Sequence, residues 1–193
     1  MLILGIDPGT RFLGYSLLQY EPNHPPQLVL MDVLNLSKIS DFQIRIRHIF
    51  DTTLRIIDSH HPDHLAIEAP FVGKNVQSML KLGKAQGVAI AAALSRDLSY
   101  SEYVPAAVKQ RVTGNGNASK EQVSAVVQSQ FSVAQQPRYY DATDALAVAY
   151  TCYLEMTDPL AGMRRELRQS SRRRSKRASW GDFIQEHPES VSR

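Results

Sequence analysis

Leu2-Ile3-Leu4-Gly5-Ile6, followed at once by Asp7-Pro8-Gly9-Thr10, is the stretch on which the fold turns. A short apolar run ended by proline and glycine reads as a buried first strand with a turn behind it. It leaves an acid, Asp7, at the strand's end. Outward from there, residues 12–20 and 27–34 read as two more strands. The proline-rich turn Glu21-Pro22-Asn23-His24-Pro25-Pro26 between them suits a hairpin. Residues 41–59 carry Phe42, Ile46, Ile49, Phe50, Leu54 and Ile57 at helical spacing, and His60-His61-Pro62-Asp63 breaks the pattern. His64-Leu65-Ala66-Ile67 is a short buried strand that ends at a second acid, Glu68. The spacing then predicts a long helix over 77–96, an extended segment over 101–105 and a short helix over 106–112. Further helices follow over 119–130, opened by a Ser119/Gln122 capping pair, and over 141–155. Three strands in meander and then alternating helices and strands imply an α/β fold with a five-stranded mixed sheet flanked by helices.

The bulk numbers agree. The chain has 193 residues, 43% hydrophobic and 21% charged, which suits one globular domain with a tail. No apolar run approaches the roughly 18–20 residues of a membrane span. The N-terminus meets an acid too early for a signal peptide. The single cysteine, Cys152, excludes an internal disulfide framework and suits a reducing, cytoplasmic setting. The net charge of +3 is unevenly spread: 15 of the 19 Asp and Glu but only 13 of the 22 Lys and Arg precede residue 164. Past Asp158-Pro159 periodicity fades. The run Arg172-Arg173-Arg174-Ser175-Lys176-Arg177 reads as part of a disordered basic tail. The expected division is therefore a domain over 1–158 and a basic tail over 159–193. The tail favours a polyanionic partner, although a solubilising appendage has the same composition.

Four acids stand out. Asp7 and Glu68 each end a strand, and Asp141 and Asp144 lie three apart at the start of the last helix, on one helical face. Each alone has a bland reading: a turn residue, an exposed strand end, a first-turn acid. If the first and fourth strands are neighbours and the last helix lies beside their ends, the four meet. Gathered carboxylates repel and raise each other's pKa values, and divalent cations relieve this. Mg2+ takes oxygen ligands, and a pair of such ions can drive phosphodiester hydrolysis. The six histidines read as structural, with His60, His61 and His64 in a surface loop.

The residues resemble a known family. Ile3-Leu4-Gly5-Ile6-Asp7-Pro8-Gly9-Thr10 through Gly14 looks like the opening of RuvC-type Holliday junction resolvases. Ala66-Ile67-Glu68-Ala69-Pro70-Phe71-Val72-Gly73-Lys74-Asn75, with the Ser78–Gly87 segment after it, looks like their second signature. Val108-Lys109 through Lys120 resembles the third, and Asp141-Ala142-Thr143-Asp144 the last. The four occur in order and span about residues 1–155. The resemblance implies a ribonuclease H-like fold. It implies an endonuclease that resolves four-way junctions by symmetric paired nicks in DNA recombination and repair. Asp7, Glu68, Asp141 and Asp144 would then be the catalytic acids holding two Mg2+ per subunit, with Mn2+ able to substitute. It also implies a homodimer and, as a partner, the RuvA–RuvB branch-migration complex.

DNA contacts follow the same resemblance. Phe71 would be a wedge that stacks at the branch point, or else a core residue capping the sheet. Lys74, Lys81 and Lys84 would meet phosphates, or else form a solvated helix face. Lys109 and Lys120 match basic positions beside the family's active site. The small residues of the 77–96 helix are candidates for dimer packing, with packing on the sheet weighed equally. Two departures stand out: Ala69-Pro70 replaces the expected Gln-hydrophobic pair, and the tail is longer than the family leads one to expect. The main rival is an actin- or sugar-kinase-type ATPase, which shares the core and an Asp-x-Gly-Thr turn. That class closes two such domains over a nucleotide, and this chain has room for one.

Overall fold

The computed structural model describes residues 1–70, 75–133 and 139–158. Phe71, Lys74 and the expected tail lie outside them. The chain divides into two units, Met1–Leu154 and Glu155–Arg193; the fold is that of the first.

Strands β1 (Leu2–Asp7), β2 (Phe12–Gln19) and β3 (Gln27–Asn35) form an antiparallel meander. Helix α1 (Phe42–His60) crosses back so that β4 (His64–Glu68) pairs in parallel with β1. Helix α2 (Val76–Leu94) crosses again to β5 (Tyr100–Tyr103), parallel to β4. The sheet order is β3-β2-β1-β4-β5. Helices α3 (Pro105–Thr113), α4 (Lys120–Gln130) and α5 (Tyr140–Met156) follow.

Side-chain alternation along the strands divides the core in two. Leu4, Ile6, Leu13, Leu17, Leu65 and Ile67 pack against Ile49, Ile56 and Ile57 of α1 and Ala85, Ala89 and Ala93 of α2. Ile3, Leu18, Ala66 and Tyr103 face Val108, Val112, Val123 and Val127 and the Ala-rich side of α5. β1 and β4 are buried on both faces, which is why both read as continuous apolar runs.

The helix ends carry the expected chemistry. Asp41 caps α1 by accepting from the backbone N–H of Gln43 and Ile44, and His61 closes it in the left-handed region. Ser119 and Gln122 form a capping box on α4. The extended segment expected over 101–105 stops earlier, because Pro105 opens α3 as its first residue. His64 corrects the surface-loop reading. It is buried in β4, with its two ring nitrogens on the hydroxyls of Ser99 (2.8 Å) and Ser101 (3.0 Å). Burial lowers its pKa and keeps it neutral.

Candidate active site

β1 and β4 run parallel with Ile6 opposite Ile67, so Asp7 and Glu68 leave the sheet side by side. Alternation turns both toward the α5 face: Ile3 and Ala66, of the same parity, pack on that side. α5 reaches this corner because two strand positions lack a Cβ. One added at Gly14, which pairs with Asp7, would sit 1.8 Å from the carbonyl oxygen of Asp141. One added at Gly5 would sit 2.3 Å from the carbonyl oxygen of Ala145. The two glycines let the backbone of α5 lie directly on the sheet, and its first turns carry Asp141 and Asp144 to the ends of β1 and β4.

The four acids line one cleft of about 790 Å3. Lys109 of α3 and Lys120 of α4 line it too, and Pro8, Leu82, Val104, Pro105 and Val108 give it apolar walls. Lys81 and Lys84 of α2 are exposed and do not line it. The Lys84 ammonium lies 5.9 Å from the centre of the Phe42 ring.

Burial, and crowding with it, shows in the proton affinities of Asp7, Glu68 and Asp144. Asp7 holds its proton well above the ordinary aspartate range. Withdrawal from solvent is the largest cause, and the charges of Glu68 and Asp144 and a hydrogen bond to Glu68 add to it. Burial also raises Glu68 and Asp144. In Asp144 this outweighs the opposing pull of Lys120, whose Nζ donates to Oδ2 at 2.6 Å. Lys120 thus offsets only part of the cost of burying Asp144.

The donor set is all carboxylate oxygen, which fits a hard divalent cation such as Mg2+ and no soft metal. Among the described residues, no three His, Cys, Asp or Glu side chains are already arranged as a metal cage. Here Asp144 is paired with Lys120. Cation binding would require these partners to part.

Two supporting residues went unremarked in the sequence. Arg45 of α1 donates to the carbonyls of Ile39 and Thr10, tying the turn after Asp7 to the start of the first helix. Gln86 of α2, buried, donates to the Glu102 carboxylate at 2.8 Å and to the Glu68 carbonyl at 3.4 Å. Nothing local distinguishes either from a solvated side chain. The strand glycines were a usable signal, since glycine inside a strand marks close backbone approach.

A mixed five-stranded sheet with carboxylates gathered at the ends of its central strands is the ribonuclease H-like arrangement, and structures of junction resolvases share it. The chain has a TM-score of 0.72 to Thermus thermophilus RuvC in complex with Holliday junction substrate, at 29% identity over 78% of this chain and 92% of that one. It has a TM-score of 0.59 to the yeast mitochondrial resolvase Ydc2, at 13% identity over 83% of each chain, a likeness of fold alone.

The family model described as crossover junction endodeoxyribonuclease RuvC matches residues 3–152. A relative of that name from Bacteroides fragilis is 46% identical over 192 residues, covering 98% of this chain and 95% of its own length. Another, from Christiangramia forsetii, is 53% identical over 148 residues, 77% of each. The chain belongs to the RuvC family of crossover junction endodeoxyribonucleases. The Bacteroides alignment runs almost the whole chain, so that relative has a C-terminal segment of similar length, whereas the match to the Thermus protein takes 78% of this chain and 92% of that one.

Proposed function

We propose that this protein resolves Holliday junctions by symmetric paired nicks, through divalent-cation-dependent phosphodiester hydrolysis at Asp7, Glu68, Asp141 and Asp144. The observation that carries the reading is one cleft, in a chain of the RuvC family, lined by those four acids together with Lys109 and Lys120. The relative of known structure was solved with a Holliday junction substrate.

The acids would hold two Mg2+ per subunit, with Mn2+ able to substitute. When bound, such a pair activates a water and stabilises the leaving oxygen. The remaining work falls to the protein. Asp7 and Glu68, fixed on adjacent buried strands, set one side of the site. Asp141 and Asp144 set the other from a helix that the sheet holds rigidly. Lys109 and Lys120 offer cationic groups on the cleft wall to a phosphodiester lying beside the acids.

The substrate is near two-fold symmetric, so two identical sites in a homodimer match two opposed strands. The exposed face of α2 supports such a dimer. Leu80, Gly83, Gly87, Ala91 and Leu94 recur at intervals of three and four, Leu80 and Leu94 are 61% and 53% exposed, and a Cβ at Gly83 or Gly87 would meet nothing within 4 Å among the described residues. Ala85, Ala89, Ala92 and Ala93, also small, are buried within the chain instead. Phe71 as branch-point wedge, phosphate contacts from Lys74, Lys81 and Lys84, the RuvA–RuvB complex as partner and a cytoplasmic location complete the proposal. No helix among the described residues is long and apolar enough to cross a membrane.

A substrate panel tests the reading. Synthetic four-way junctions, linear duplex and an RNA–DNA hybrid are incubated with the protein and Mg2+. Paired nicks on opposed strands of the junction alone are expected. Cutting of the hybrid in preference to the junction would instead mark a different nuclease on the same fold.

A further inference from the structure

Lys120 sits where a helix least favours it. It is the first residue of α4, at the positive end of the helix dipole, where an acid is stabilising and a cation is not. The Ser119/Gln122 capping box fixes that turn and leaves the lysine no part in holding the helix end. Its stem is largely exposed, with 61% of the side chain accessible, yet its ammonium reaches Asp144, whose side chain is only 11% exposed, at 2.6 Å. The charges of Asp7 and Asp141 also act on it. It is the one basic side chain given an ion pair with any of the four acids among the described residues; Lys109, on the same cleft wall, acts on Asp144 and Glu68 through charge alone.

We propose that Lys120 is a resident counter-ion: in the metal-free enzyme its ammonium takes the place of a cation at Asp144, and an arriving divalent cation displaces it into the cleft. This rests on the metal-binding reading of the four acids and adds a gate to it. A freed ammonium beside the amino end of α4 would place two positive features together at the cleft rim, which suits a phosphate. Site loading and phosphate capture would then be one motion, and the loaded site would hold the substrate anion better than the empty one.

Two measurements without DNA test this. In the first, the side-chain ammonium signal of Lys120 is followed by 1H–15N NMR in the wild-type protein and assigned by its loss in Lys120→Met. A hydrogen-bonded ammonium exchanges slowly with water and is visible; addition of Mg2+ should shift it or exchange-broaden it away. In the second, Mn2+ affinity is measured by electron paramagnetic resonance for the wild type, Lys120→Met and Lys109→Met. Both variants lose one positive charge, but only the first loses a competitor. Lys120→Met should bind Mn2+ about three- to tenfold more tightly than Lys109→Met, in the range of one partly exposed ion pair. Equal affinities in the two variants, or a Lys120 signal indifferent to Mg2+ in a protein that binds it, overturns the gate and leaves the metal site standing. A wild type that binds no Mn2+, with Asp144→Asn indistinguishable from it, overturns both.

Discussion

Asp7 illustrates the conflict between folding and function at the scale of one residue. Its carboxyl is ordinary in the unfolded chain and holds its proton to higher pH when folded, chiefly because burial disfavours its charge. Across the window from the ordinary aspartate range up to that raised value, the folded state binds more protons than the unfolded one. Stability of the metal-free protein therefore falls as pH rises through the window. Glu68 and Asp144 are raised in the same direction and add to the slope. Asp7→Asn removes a charge the fold disfavours. Its melting temperature without metal should exceed that of the wild type at pH 8 and approach it at pH 5, as read by circular dichroism; Mg2+ should stabilise the wild type and leave the variant nearly unmoved. A variant no more stable than the wild type at pH 8 would mean that burial of the Asp7 charge does not cost the fold stability.

Among the elements, the placement of α5 decides whether there is a site. The last helix was legible from its Ala and Leu spacing, and the two strand-end acids from the runs that precede them. That they meet was only conditional, because strand order is set by long-range pairing that no local spacing encodes. Gly14 was quoted within a motif, but its meaning needs the fold: the atom it avoids belongs to Asp141, more than a hundred residues on. Gly14→Ala should cost about 3 kcal/mol by overpacking against backbone and should lift Asp141 and Asp144 from their places, so that stability and divalent-cation binding fall together. Gly83→Ala, where an added Cβ meets nothing within 4 Å among the described residues of the chain, should instead leave the acids in place and divalent-cation binding unchanged. Urea midpoints and Mn2+ titrations of the two variants read both outcomes. Arg45 and Gln86 stayed hidden for the same reason as the strand order: the Thr10 carbonyl and the Glu102 carboxylate that they reach are brought near only by folding.

For the whole molecule, two cores pin one sheet from both sides, and the corner that gathers the four acids is assembled from its ends. The meander, the crossovers and the five strands followed from punctuation and periodicity. The division of small residues on α2 did not, since alanines bound for the sheet and glycines left on the surface look alike in sequence. That division makes the dimer testable. Gly87→Arg places a long cation on the exposed face, at a position where an added Cβ meets nothing within 4 Å among the described residues. Light scattering should find the wild type at twice 21.6 kDa and the variant as a folded monomer. A variant that remains dimeric would move the interface elsewhere.

The central claim is that the carboxylates at the ends of β1 and β4 and on α5 cut junction DNA through divalent cations. Single-turnover cleavage of an end-labelled four-way junction, by wild type and by Asp7→Asn, with and without Mg2+, addresses it most directly. The account predicts nicks at symmetry-related positions that need both Mg2+ and Asp7, with junction binding retained by the variant. Undiminished cleavage by Asp7→Asn, or equal cleavage without a divalent cation, would contradict it.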